Sequence, residues 1–71
     1  MARESYYVNR NAQENGDHEV HRTHGCPTPA REENRLYLGD FSNCHDAVRE
    51  AKKHYPTANG CANCSPACNT G

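Results

Sequence analysis

The sequence predicts an α+β domain: a two- or three-stranded antiparallel sheet, one helix packed on it, and a C-terminal loop that apolar burial cannot hold. Three observations carry this expectation. Tyr6-Tyr7-Val8 and Leu36-Tyr37-Leu38 are short aromatic and aliphatic runs bounded by turn residues, as strands are. Between Asn43 and Tyr55 the apolar positions recur at three- and four-residue steps, the period of a helix. From Thr57 onward no large apolar residue occurs, yet three of the five cysteines lie there.

The elements follow in order. Residues 1–4 read as a disordered start, and Tyr6-Tyr7-Val8 opens the first strand. Glu14-Asn15-Gly16-Asp17 is a hairpin signal, because Asn-Gly accepts the positive φ angles of a type I′ turn. The return strand is His18-Glu19-Val20-His21-Arg22. A strict two-residue turn pairs Arg10 with His21 and Val8 with Thr23. His21 then shares a face with Tyr6 and Val8, and Val20 takes the other, an awkward outcome that leaves the register open. Residues 23–34 read as loop, stiff at Cys26-Pro27-Thr28-Pro29 and mobile at Arg31-Glu32-Glu33-Asn34.

Arg35-Leu36-Tyr37-Leu38-Gly39 is a third strand, closed by Gly39-Asp40. Ser42 or Asn43 caps a helix that runs to about Tyr55 with Cys44, Ala47, Val48, Ala51 and Tyr55 as its apolar stripe. Asp46 near its start and Lys52, Lys53 and His54 near its end complement the helix dipole, and Pro56 stops it. With residues 69–71 read as a disordered end, a single domain spans residues 5–68.

At 71 residues such a domain has a marginal core. It contains no Ile and no Trp, only 34% hydrophobic residues, and a mean hydropathy of -1.14. The patterned runs nevertheless look folded, so a disulfide or a bound metal is expected to supply part of the stability. The first residues show no apolar secretory core and no stretch is long enough to span a membrane, which points to a cytoplasmic setting. An odd cysteine count there disfavours a complete disulfide framework. A net charge of -1 gives no general attraction to nucleic acid or to acidic membranes.

Metal binding by thiolates is therefore the favoured reading. Cys61-x-x-Cys64 lets two thiolates reach one tetrahedral ion from a tight turn, with Gly60 giving the backbone room to curl. Two more nitrogen or sulfur donors are needed, and His18-Glu19-Val20-His21-Arg22-Thr23-His24-Gly25-Cys26 concentrates them. Cys26 is the natural third ligand. The fourth is taken as His21, at the end of the hairpin, with His24 or His18 as alternatives and Cys68 as a substitute giving an all-cysteine site. One zinc ion is the expected occupant. Cys44, on the helix stripe, reads as a small buried hydrophobe. Its neighbour His45 points elsewhere, so no Cys-His dyad is expected. Cys68 is otherwise a spare surface thiol.

His21, Cys26, the Leu36-to-Gly39 strand, Ala47 and Cys61-x-x-Cys64 give a layout that resembles the small zinc-binding domain of Ada-type alkylation-response proteins. The resemblance implies zinc binding but not Ada methyl transfer; His21-x4-Cys26 is one residue longer than the commonest version, and Cys68 is extra. Over most of the chain, Tyr-Tyr-Val-Asn, Asn-Gly-Asp-His-Glu-Val-His and Asn-Gly-Cys-x-x-Cys are similar to a family of short, uncharacterised bacterial proteins that implies no activity.

No enzyme motif stands out. Glu19 is the sole carboxylate within the ligand segment that a catalytic zinc could use. The leading expectation is a structural zinc-binding domain acting as a monomeric interaction module for a protein partner. A weak nucleic-acid-binding module in DNA repair or stress response is the second, with Arg49, Lys52 and Lys53 for phosphates and the four tyrosines for stacking. A thiol-based redox or metal responder using Cys61, Cys64 and Cys68 is the third.

Overall fold

A computed structural model of the chain describes residues 3–70. Four strands form one sheet: β1 (Glu4–Asn9), β2 (His18–Arg22), β3 (Arg35–Phe41) and β4 (Ala58–Gly60), in the order β3-β1-β2-β4. Among the described residues one α-helix, α1 (Cys44–Ala51), lies between β3 and β4 in sequence. The α+β class stands, but the sheet has four strands rather than two or three, and it is mixed. β1 pairs antiparallel with β2 and β3, whereas β4 pairs parallel with β2.

The hairpin register differs from the strict-turn expectation. Tyr7 pairs with His21 and Val8 with Val20, so the connection spans residues 10–17. Gly16 takes the expected positive φ of 89°, but no non-glycine residue among the described residues does, so Asn15-Gly16 is not a type I′ turn. The hydrophobic pattern decided the register. Pairing Val8 with Val20 puts Tyr6, Val8 and Val20 on the face that meets Ala47, Ala51 and Ala58. Tyr7 and His21 are thereby sent together to the opposite face.

β3 runs two residues past Gly39, through a register shift against Tyr6 and Tyr7 that leaves Leu38 without its own partner on β1. Gly39, with φ 115°, permits this bulge. One extra residue changes which face the following side chains occupy, so Leu36, Leu38 and Phe41 all pack against the core.

Asn43 caps α1, its side-chain oxygen accepting a hydrogen bond from the Asp46 amide at 2.9 Å. Regular helix ends at Ala51, about a turn before Tyr55. The Lys53 and His54 amides bond carbonyls only three residues back, tightening the chain ahead of Pro56. Tyr55 still reaches the core and stacks on His18, with ring centroids 4.0 Å apart. The Glu32–Asn34 segment is a 3-10 turn, tied down by the Arg10 amide donating to Asn34 at 2.7 Å.

The two domain edges extend slightly beyond expectation. Glu4 is already in β1, and Asn69 and Thr70 hydrogen-bond to Gly60 and Asn59. Residues 1, 2 and 71 of the expected loose ends lie outside the described residues.

Candidate metal centre

His21, on the face of β2 away from α1, is 1% exposed. Three cysteines converge on it from two directions. Cys26 comes from the loop after β2, and Cys61 and Cys64 come from the turn after β4. β4 places that turn: its parallel pairing with β2 continues as the Cys61 amide donating to the Val20 carbonyl at 2.9 Å, one residue from His21. The Ser65 amide then donates to the Cys61 carbonyl at 2.8 Å, curling Cys64 back beside Cys61.

Gly60 is needed here for space rather than for backbone freedom. A Cβ on it would lie 2.6 Å from the Cys68 Cβ and 2.8 Å from the Ser65 carbonyl oxygen. The returning chain passes directly over this residue.

The donor atoms of His21, Cys26, Cys61 and Cys64 all lie within 4.8 Å of one another. His21 Nδ1 is 3.4 Å from Cys26 Sγ and 3.8 Å from Cys64 Sγ, and Cys26 Sγ is 3.9 Å from Cys61 Sγ. Zinc–sulfur bonds of about 2.3 Å and a zinc–nitrogen bond of about 2.0 Å give a tetrahedron with S···S edges of about 3.8 Å and N···S edges of about 3.6 Å. The three separations match those edges to within a few tenths of an ångström. These Cys and His groups are positioned to hold a metal ion.

Polar groups around the cluster suit negative sulfur. The Arg22 amide donates to Cys64 Sγ and the Asn63 amide to Cys61 Sγ, each at 3.4 Å. The Thr28 hydroxyl lies 3.8 Å from Cys26 Sγ and 3.9 Å from Cys61 Sγ, itself accepting a 2.9 Å bond from the Asn63 side chain. Burial works against the Cys26 thiolate, but hydrogen bonding with Cys64, Thr28 and Cys61 outweighs it and lowers the pKa. Burial pushes the Cys64 thiol the other way, up to about 12, helped by its interaction with Cys26. Without a cation, crowded sulfurs resist becoming thiolates together. A divalent ion removes that conflict.

Burial also lowers the His21 pKa, against the raising effect of Glu19, and so favours the neutral imidazole that a metal requires. Glu19 Oε1 sits 3.6 Å from His21 Nε2, the nitrogen away from the sulfurs. This carboxylate backs the histidine instead of occupying a catalytic position. Tyr7 stacks on the His21 ring at 5.2 Å, with the Arg35 guanidinium 4.5 Å above the tyrosine ring. The Tyr7 hydroxyl accepts a 2.9 Å bond from the Ala30 amide, which fixes the segment following Cys26.

The favoured four residues come together, and neither His24, His18 nor Cys68 belongs to the cluster. His18 instead places its Nδ1 2.9 Å from the Asn9 carbonyl. Cys68 is neither an idle thiol nor a substitute ligand: it forms a disulfide with Cys44, closing a separation of 24 residues. Cys44 is thus more than a buried hydrophobe, and three free cysteines remain. The Tyr7 hydroxyl on Ala30 and the Asn63 side chain on Thr28 are long-range contacts that no spacing rule signals. The Asn63 amide on Cys61, the Thr28 hydroxyl beside Cys26 and Glu19, which shares a strand face with His21, each lie two residues from a ligand and are local.

Comparison of the chain with protein-family models, curated proteins and solved structures finds no match.

Proposed function

We propose that this chain is a structural zinc-binding domain, a small interaction module whose shape depends on one ion held by His21, Cys26, Cys61 and Cys64. The observation that carries this reading is the convergence of those four donors within 4.8 Å, with three of their separations at the length of tetrahedral edges. Three sulfurs and an imidazole suit zinc or a similarly thiophilic ion, and four protein donors leave no vertex for substrate. The ion supplies fold stability here: it joins β2, the following loop and the turn after β4, where the apolar side of the sheet offers little hold.

Its use as a protein-binding module is supported by Tyr37, 52% exposed on edge strand β3 and able to present an aromatic surface. The nucleic-acid alternative gains less support. Arg49 and Lys53 are engaged by Asp46 and Glu50, and Tyr6 and Tyr7 are buried. No described helix is long and apolar enough to cross a membrane.

The test is the metal content of oxidised chain purified without chelator or affinity-tag metal, followed by cobalt substitution. About one ion per chain is expected, with a tetrahedral cobalt spectrum and the thiolate charge-transfer intensity of three cysteines. Cys61→Ser should remove it. A chain that purifies without metal and binds cobalt only in an octahedral, thiolate-free form would overturn the proposal.

A further inference from the structure

The disulfide joins the first residue of α1 to the 3-10 turn Pro66–Cys68, just beyond the turn that carries Cys61 and Cys64. A third group sits with it. A ring nitrogen of His45 and the sulfurs of Cys44 and Cys68 all lie within 4.8 Å of one another. Adjacency on the helix does not separate Cys44 and His45 after all, because Cys68 approaches where both can meet it. The capping hydrogen bonds at this helix end run between Asn43 and Asp46 and leave the His45 ring out.

We propose that Cys44, His45 and Cys68 form a second metal site, present only when the disulfide is reduced, that takes a thiophilic ion of the zinc class. Two external thiols reduce the bond. They leave as one external disulfide, and Cys44 and Cys68 gain two electrons and two protons. A divalent ion then displaces those two protons and bonds both sulfurs and the His45 ring. The ring nitrogen and the sulfurs are already gathered, so the sulfurs need only part to the separation of neighbouring tetrahedral ligands, about 3.8 Å.

The surroundings decide its character. His45 is exposed, Cys44 is half-buried and Cys68 is buried, so the cluster opens to solvent on one side. Three protein ligands with an open fourth position describe an exchangeable site, unlike the four-donor cluster around His21. The start of α1 also favours the negative charge that thiolates bring. One chain thus holds a permanent ion on one face of the sheet and a redox-gated ion at the helix start. The two are linked through the chain between Cys64 and Cys68.

Cadmium titration of the full chain, oxidised and then reduced with a non-thiol phosphine, tests this. The increment on reduction is the readout, so the result does not depend on the first site. Reduction should add one cadmium per chain and raise the thiolate-to-metal absorption by the share of two sulfurs. His45→Ala, at an exposed position, leaves the oxidised chain unchanged. It should weaken the added ion by at least the roughly 10–100-fold that even loss of an outer ligand contact brings. Cys68→Ser should abolish the increment. Reduction that adds no ion, or an added ion bound equally well by His45→Ala, would overturn the proposal. Failure of the His21 cluster would look different: no ion in the oxidised chain and one in the reduced.

Discussion

Gly60→Ala should disable the metal centre without touching a ligand. The added methyl would meet the Cys68 Cβ at 2.6 Å, the Cys68 carbonyl carbon at 2.7 Å and the Ser65 carbonyl oxygen at 2.8 Å. Two of these are backbone atoms, so no side-chain rotation relieves the overlap. The chain from Ser65 to Cys68 must lift off β4, at about the 1–3 kcal/mol typical of overpacking. Cys64 immediately precedes Ser65, so the same shift pulls its sulfur from His21 Nδ1, now 3.8 Å away. Metal affinity should fall by roughly 10–100-fold, as when a supporting contact of a ligand is lost. Gly16→Ala is the control. Its φ of 89° makes alanine cost about 1–2 kcal/mol in backbone strain, yet a methyl there has nothing within 4 Å to displace. Urea unfolding would give the two stabilities, and competition with a chromophoric chelator the two affinities. If both variants lose similar stability and both keep parental affinity, the turn tolerates the displacement and the packing argument fails.

Two further outcomes follow from the site. Glu19→Gln should lower metal affinity by roughly 10–100-fold, through loss of the carboxylate behind His21, while unfolding of the metal-free chain moves little; unchanged chelator competition would remove Glu19 from the site. In the metal-free oxidised chain, burial sets the folded pKa of His21 below its unfolded value. The unfolded state therefore takes up a proton that the folded state resists, and stability present above the ordinary histidine range is lost as pH falls through it toward the folded pKa. Urea midpoints at mildly alkaline and mildly acidic pH would show this. A midpoint that rises on acidification contradicts it.

The sequence revealed most where pattern and chemistry agreed. The helix stripe placed Ala47 and Ala51 in the core. The Cys-x-x-Cys spacing with the His- and Cys-rich segment pointed to Cys26, Cys61 and Cys64 while leaving His21 only preferred over His18, His24 and Cys68. The donors gathered in the fold are those of His21 and the three cysteines. The hairpin register was not legible from the turn, because Asn15-Gly16 suggests a short connection and the pairing of Val8 with Val20 forbids one. β4 was invisible for a different reason. Ala58-Asn59-Gly60 has no strand preference, and its order comes from backbone pairing to β2 and from the buried Asn59 amide. Asn59 Oδ1 accepts bonds from the Gly60 and Thr70 amides, and its nitrogen donates to Asp17. The Cys44–Cys68 bond was hidden because the two thiols have separate roles in the local pattern, one on a helix stripe and one in a polar tail. Only the fold, by laying the tail across the start of α1, makes them neighbours.

That cross-link acts on two states, and the double variant Cys44→Ser/Cys68→Ser separates them. In the unfolded chain it closes a 24-residue separation. The chain-entropy model values that at about 3.5 kcal/mol. This part should appear in metal-saturated urea melts and says nothing about the site. In the folded chain the bond anchors the residues just after Cys64. Without it the contacts that remain include the hydrogen bonds of the Asn69 side chain to Gly60 and of the Thr70 amide to Asn59. If one further residue must then be ordered when metal binds, the cost of about 1–2 kcal/mol lowers affinity roughly tenfold. Linkage requires the reverse effect to be equal: metal in the His21 cluster must make the disulfide correspondingly harder to reduce. A double variant that loses stability but binds metal as the parent does would confine the cross-link to the unfolded state. The Cys61–Cys64 turn would then be fixed by β4 and Gly60 alone.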